Sequence, residues 1–141
     1  MKEILFKAKV KDWRERPKEE WWVHGDAIHE LIGMTIKHME RGMPVRVPVD
    51  PETLCQYICM NDKNGNRIWE NDIVSINTYS YMEPEEDYFG KIVYVEGWGC
   101  WCIQQSGEEK PIPLCECEGS YLTERVVEGN IFDNPEMMKE E

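Results

Sequence analysis

The chain lacks any apolar run near the roughly 18 residues that a membrane-crossing helix requires, although hydrophobic side chains make up 41% of its 141 residues. That excludes a helical membrane protein. Its first residues, MKEILFKAKVKDW, carry a charge every two or three positions and no apolar centre. An ordinary secretory leader is therefore not expected, and a cytoplasmic location is. Positive charge is also scarce: 16 Lys and Arg stand against 28 Asp and Glu, a net charge of −12. Affinity for DNA or RNA rests largely on cations that neutralise phosphates, so direct nucleic-acid binding is not expected. Internal repeats are missing, as are the P-loop, G-x-S-x-G and dinucleotide fingerprints. The three histidines, His24, His29 and His38, lack the His-x-x-x-His spacing of a zinc helix. They read as surface or half-buried rings rather than bases. Neither an enzyme nor a cofactor is expected.

What is present reads mainly as strand. A chain of this length suits one domain and buries about two-thirds of its unfolded surface without metal or disulfide staples. Residues 4–10 alternate apolar with basic side chains, and residues 21–28 follow a charged turn at 12–20, so the two predict a hairpin. Residues 29–41 place Leu31, Ile32 and Met39 on a helical stripe with Gly42 as a stop. They predict a helix, although Gly33, Thr35 and Ile36 disfavour one and Met34, Ile36 and His38 also alternate. Asp50 as a cap before Pro51 and Glu52 predicts a short helical turn. Asn134-Pro135-Glu136 repeats that signature near the end of the chain. Further strands are predicted over 56–60, 67–76, 88–95, 98–105, 112–118 and 125–131, with Glu96-Gly97 turning one hairpin. Short strands with turn signals every 8–12 residues indicate a mainly β fold, a compact barrel or sandwich of antiparallel strands with one or two short helices. The single domain of 1–141 divides into an N-terminal hairpin at 1–28, a variable insert at 29–46, a core at 47–134 and a helical tail at 135–141.

The stretch QYICMNDKNGNRIWENDIV, residues 56–74, holds Asp62, Asn64 and Asn66 at alternate positions and so invites a calcium-loop reading. An EF-hand loop needs glycine at position 6 and glutamate at position 12. Counted from Asp62, Gly65 falls at the fourth place and Ile73 at the twelfth, so the template fails. Asn64-Gly65 instead predicts a two-residue type I′ hairpin. In the returning strand Asp72 interrupts the apolar face of Ile68 and Val74, which predicts a bend near Glu70-Asn71.

PVDPETLCQYICMNDKNGNRIWENDIV, together with VVEGNIFDNPEMM near the end, resembles the YopX family of phage and prophage proteins. FKAKVKDW and EEWWVHG resemble that family's first hairpin. The matching positions are Asp50, Pro51 and Glu52, then Asp62, Asn64, Gly65 and Asp72, then Gly129, Asn130, Asn134 and Pro135. The resemblance implies a β-rich fold, self-association and a mobile-element setting, and it carries over no catalytic residue. The chain departs from the family pattern at Cys55 and Cys59, where small residues are expected, and between residues 98 and 117, where no family motif matches. A cysteine-based function would therefore be peculiar to this protein.

Six cysteines in a reducing compartment read as thiols or a metal site rather than disulfides. Cys100-x-Cys102 and Cys115-x-Cys117 are the weak metal candidates. Residues two apart in a strand are about 6.6 Å apart along it, whereas two thiolates on one zinc approach to about 3.8 Å. One regular strand should not supply both without a sharp bend. If the chain turns between 106 and 111, Cys102 would face Cys115 and Cys100 would face Cys117. Pro111 and Pro113 oppose this, and packing as small apolar groups is the plainer expectation. The six tryptophans are expected in the core or an interface before any base-stacking role. Together these features indicate a non-enzymatic module for protein–protein association, with itself as first partner and a host protein as second. An acidic inhibitor imitating DNA, built on residues 83–87 and 136–141, is the alternative, and a thiol or zinc protein the third.

Overall fold

The computed structural model describes residues 4–30, 33–79, 84–107, 110–116 and 122–138. The chain divides into two compact units, Met1–Tyr57 and Ile58–Glu141. Both are mainly β, every strand pairing described is antiparallel, and the described helices are all short 3-10 turns.

In the first unit, β1 (Phe6–Lys9) pairs with β2 (Trp22–Glu30), β2 with β3 (Gly33–Glu40), and β3 with β4 (Met43–Val49). The other edge of β1 takes the opening residues of β5 (Cys55–Asn61), with Phe6 opposite Gln56 and Lys7 opposite Cys55. Residues 29–30 and 33–40 are therefore not helix but the end of β2 and all of β3, while residues 31 and 32 lie outside the described residues. The β-branched Thr35 and Ile36 lose side-chain freedom in a helix. In the strand Met34 and Ile36 fall on one face and are buried there with Ala8 and Val49. Tertiary packing of that alternation overrides the incomplete helical stripe. Strand β4 ends the pairing order, but its last residues are not a free edge: Val49 bridges Val10, the Lys11 N–H donates to Pro48 O at 3.0 Å and the Asp50 N–H to Lys9 O at 2.9 Å. Proline has no N–H to donate, so Pro44 blunts the remaining part of that edge against a further strand.

The 3-10 turn Pro51–Thr53 stands where the Asp-Pro signature predicts it, with the Glu52 N–H donating to Asp50 Oδ1 at 3.1 Å. Thr53 ties the turn to β1: its hydroxyl donates to Asp50 O at 2.7 Å and accepts from the Lys9 N–H at 2.8 Å.

In the second unit, the end of β5 leads through a turn into β6 (Arg67–Trp69). A five-stranded sheet follows in the order β10-β9-β8-β7-β11, built from β7 (Asp72–Tyr79), β8 (Glu86–Val95), β9 (Cys100–Gln105), β10 (Ile112–Pro113) and β11 (Leu122–Asn130). The order is open at both ends, so this is a sheet rather than a closed barrel. Ile58, Ile68, Val74, Ile76, Ile92, Ile103 and Leu114 form its core. Each such side chain, fully buried, contributes about 1.5–3 kcal/mol. The bend expected near Glu70-Asn71 is a full corner, with Asn71 at φ 69 and the chain passing from β6 into the five-stranded sheet.

Candidate functional site

The residues that carry the family resemblance in the second unit gather around β11. Asp62 heads the turn between β5 and β6, and its side chain is only 6% exposed. Its Oδ1 accepts the N–H groups of Asn64 at 2.9 Å and Asn66 at 2.8 Å. Its Oδ2 accepts the Val127 N–H at 3.1 Å and the Asn66 side-chain amide at 3.4 Å. Beside it the Lys63 N–H donates to Arg125 O at 2.9 Å. Asp62 thus both winds its own turn and satisfies the outer edge of β11. Burial alone would push the Asp62 carboxyl up. The backbone N–H groups of Val127, Asn66 and Asn64, with the Asn66 amide, outweigh that and hold it below its ordinary value.

The same contacts correct the expected turn type. Only Gly65, at φ 83, takes a positive φ here; Asn64 does not, so the turn is not type I′. Gly65 N–H donates to Asp62 O at 3.0 Å and Asp62 N–H to Asn66 O at 2.8 Å. This is a type I-like turn closed by a left-handed glycine. The Asp62 carboxylate selects it, because holding the 64 and 66 amides together winds the chain right-handed through Lys63 and Asn64.

Asp72, 3% exposed, accepts the Trp69 N–H at 2.8 Å and so fixes the corner into β7. Asn71 N–H donates to Ile92 O, and Ile131 N–H to Asn71 O. At the end of β11 the Asn130 side chain accepts from the Phe132 and Asp133 N–H groups, while Asn134 Oδ1 accepts from the Asn130 N–H. Pro135 then opens the 3-10 turn Pro135–Met138. Gly129 follows a bulge in β11, and a Cβ there would lie 2.5 Å from Asn134 Oδ1 and 3.2 Å from Asn134 Cβ. Gly129→Ala is expected to cost about 1–3 kcal/mol by overpacking, read as a lower denaturant midpoint. An unchanged midpoint would show that the Asn130–Asn134 turn yields freely.

Asp62, Asn64, Gly65, Asp72, Gly129, Asn130, Asn134 and Pro135 therefore meet around one strand and one corner, where the side-chain oxygens of Asp62, Asp72, Asn130 and Asn134 accept mainly from backbone N–H groups. Asp50, Pro51 and Glu52 lie in the first unit at the turn described above.

Sequence reasoning placed the tryptophans in the core or an interface, and there it missed a cluster. Lys9, on the face of β1 expected to meet solvent, is 1% exposed. Its Nζ lies 3.8 Å from the Trp13 ring centre, 4.3 Å from Trp21 and 5.5 Å from Trp22. Trp13 and Trp21 stack edge to face at 4.9 Å. Trp13 Nε1 donates to Asp50 Oδ2 at 3.4 Å and Trp21 Nε1 to Arg16 O at 2.8 Å. Lys7, Arg14 and Lys18 sit over the same tryptophans from outside. The signal available was register: Lys9 stands opposite Trp22.

The register weighed for a four-thiol face, with Cys102 opposite Cys115, is not the one that forms. Ile112 pairs with Ile103 and Pro113 with Cys102, so Pro113 rather than Cys115 faces Cys102. The chain then leaves β10 for the 3-10 turn Leu114–Glu116, since Pro113 has no N–H with which to continue the ladder. Cys117 lies outside the described residues. Among the described residues no three His, Cys, Asp or Glu side chains could hold a metal ion together. The spacing argument against one strand supplying both thiols does not hold, however. Cys100 Sγ and Cys102 Sγ are 3.8 Å apart along β9, because each thiol swings on its own Cα–Cβ bond and the two lean together.

Net charge is unevenly divided. The first unit carries ten basic and ten acidic residues, the second six and eighteen. One sheet face of the second unit presents Glu85, Asp87, Glu124 and Glu128. Asn77 Nδ2 donates to Glu85 Oε1 at 2.6 Å and Asp87 Oδ1 at 2.5 Å. Ser75 donates to Glu128 Oε1 at 2.9 Å, and Lys63 pairs with Glu124 at 3.6 Å. Of the acidic stretches expected to matter, Glu83 and residues 139–141 lie outside the described residues. No described helix is long and apolar enough to cross a membrane.

No curated protein matches the chain. The crystal structure of protein EF1440 from Enterococcus faecalis is similar over 99% of this chain and 100% of its own, at 15% identity and a TM-score of 0.52, a likeness of fold. The model of the YopX protein family matches residues 5–139. Matched over nearly its whole length, the chain belongs to the YopX family.

Proposed function

We propose that this protein acts without catalysis, by association with other proteins, and that its first partner is a second copy of itself in the cytoplasm of a phage-bearing bacterium. The observation that carries the reading is the division of charge. The β3–β4 hairpin exposes Met39 at 63% and Met43 at 66%, among three basic residues, Lys37, Arg41 and Arg46, and one acid, Glu40. The acidic face of the second unit exposes Tyr79 and Phe89. A basic, methionine-tipped arm complements an acidic face with aromatic side chains, and methionine adapts readily to irregular partners. Arm to face is a head-to-tail contact, which closes into a ring or runs on as a filament.

Native mass spectrometry, with sedimentation at low and high salt, tests this. A discrete oligomer is expected, weakened by salt as exposed charge pairs are screened. The double substitution of Met39 and Met43 by aspartate should release monomers. A monomer at all concentrations would sink the reading.

The second reading is an acidic inhibitor that imitates DNA, favoured by the eighteen carboxylates of the second unit. Against it, Glu85 and Asp87 crowd one amide and Glu124 is paired with Lys63, as on a solvated face. A monomer that competes with duplex DNA for a basic DNA-binding protein would favour this reading over self-association.

A further inference from the structure

We propose that Cys100 and Cys102 are a thiol pair that exchanges with small-molecule disulfides and closes to an intramolecular disulfide. Both lie on one face of β9, and their sulfurs are already in contact at 3.8 Å. A disulfide needs Sγ atoms about 2.05 Å apart and Cα atoms about 4.4–6.8 Å apart. A strand separates alternate Cα atoms by about 6.6 Å, inside that range, but it holds the Cβ atoms about as far apart, against about 3.5–4.5 Å in a disulfide. Side-chain rotation therefore brings the sulfurs into contact, and a bend at the first residues of β9, beside the left-handed Gly99, closes the bond. Access is one-sided. Cys100 is half-buried at the start of the strand, next to the turn that ends at Gly99, whereas Cys102 is 0% exposed.

That asymmetry assigns the roles. The Cys100 thiolate attacks one sulfur of the external disulfide, forming a mixed disulfide and expelling one thiolate. The Cys102 thiolate then attacks Cys100 Sγ and expels the second. The two protons from the protein thiols leave with the released thiols. Two protein thiols are oxidised and one small disulfide is reduced to two thiols. The remaining described cysteines behave differently: Cys59 and Cys115 are exposed and stop at mixed disulfides, and Cys55 is buried and stays reduced. This chemistry is independent of self-association.

The test is incubation of the reduced, intact chain with oxidised glutathione, alkylation, and cleavage after glutamate. Cutting at Glu96 and Glu108 isolates residues 97–108, which hold Cys100 and Cys102 and no other cysteine. The expected fragment has lost two hydrogens and takes no alkyl group. Cys102→Ser should trap glutathione on Cys100, and Cys100→Ser should leave Cys102 unmodified while Cys59 and Cys115 react. The wild-type fragment decides the question even where a variant folds poorly. A fragment alkylated at both positions, or Cys100 bridged to Cys115, would overturn the proposal.

Discussion

Asp62→Ala should lower the stability of the protein by about 3 kcal/mol, seen as an earlier denaturant midpoint with an unchanged slope. The substitution strips an acceptor from four donors at once: the N–H groups of Asn64, Asn66 and Val127 and the Asn66 amide. Those at the turn can recover water, but the Val127 N–H belongs to the edge of β11 and loses its only described acceptor. Asp62→Asn keeps the shape yet replaces one acceptor oxygen with a donor, so it should cost about 1–2 kcal/mol. The sign of the pH effect follows from the carboxyl being held below its ordinary value of 3.8. A depressed folded-state value means that ionised Asp62 stabilises the protein fully above about pH 3.8 and ceases to do so as the pH falls through its folded value. The gap between wild type and Asp62→Ala should therefore be constant near neutrality and shrink in strong acid. A gap that persists unchanged into acid would show that the carboxylate's charge plays no part.

The mainly β class and the turn signals were legible because alternation and Asp-Pro or Asn-Gly pairs act locally, within a few residues. Asp50 before Pro51 and Asn134 before Pro135 stand where they were expected for that reason. Residues 29–41 were not legible. Their strand alternation runs over only Met34 and Ile36, and it gains its advantage from Ala8 and Val49, which lie far off in sequence. The Asn64-Gly65 turn was placed correctly and typed wrongly, because the deciding group is the Asp62 carboxylate rather than the dipeptide itself. Strand spacing likewise says where Cα atoms go and not where thiols point, which is why Cys100 and Cys102 meet despite it. The charge division could not be read until the boundary after Tyr57 was known.

The tryptophan cluster around Lys9 offers the other large effect. Lys9→Ala should cost about 4 kcal/mol, since it removes both a fully buried stem and the cation, and leaves a void among Trp13, Trp21 and Trp22. Lys9→Met separates these terms: it fills nearly the same volume without the charge, and should cost about 2 kcal/mol, the magnitude of a desolvated cation–π contact. Both variants should change the intrinsic tryptophan emission, because the ammonium sits within 4.3 Å of two ring centres. Were Lys9→Met as stable as wild type, the rings would be holding the aliphatic stem and not the charge. Either outcome bears on function, because aromatic boxes of this kind serve elsewhere as receptors for ligand cations. Here the box is filled from within by the chain's own lysine, and the indole N–H groups of Trp13 and Trp21 are turned to Asp50 and Arg16. The cluster therefore fastens the loop between β1 and β2 onto the sheet and has no open box for an outside cation.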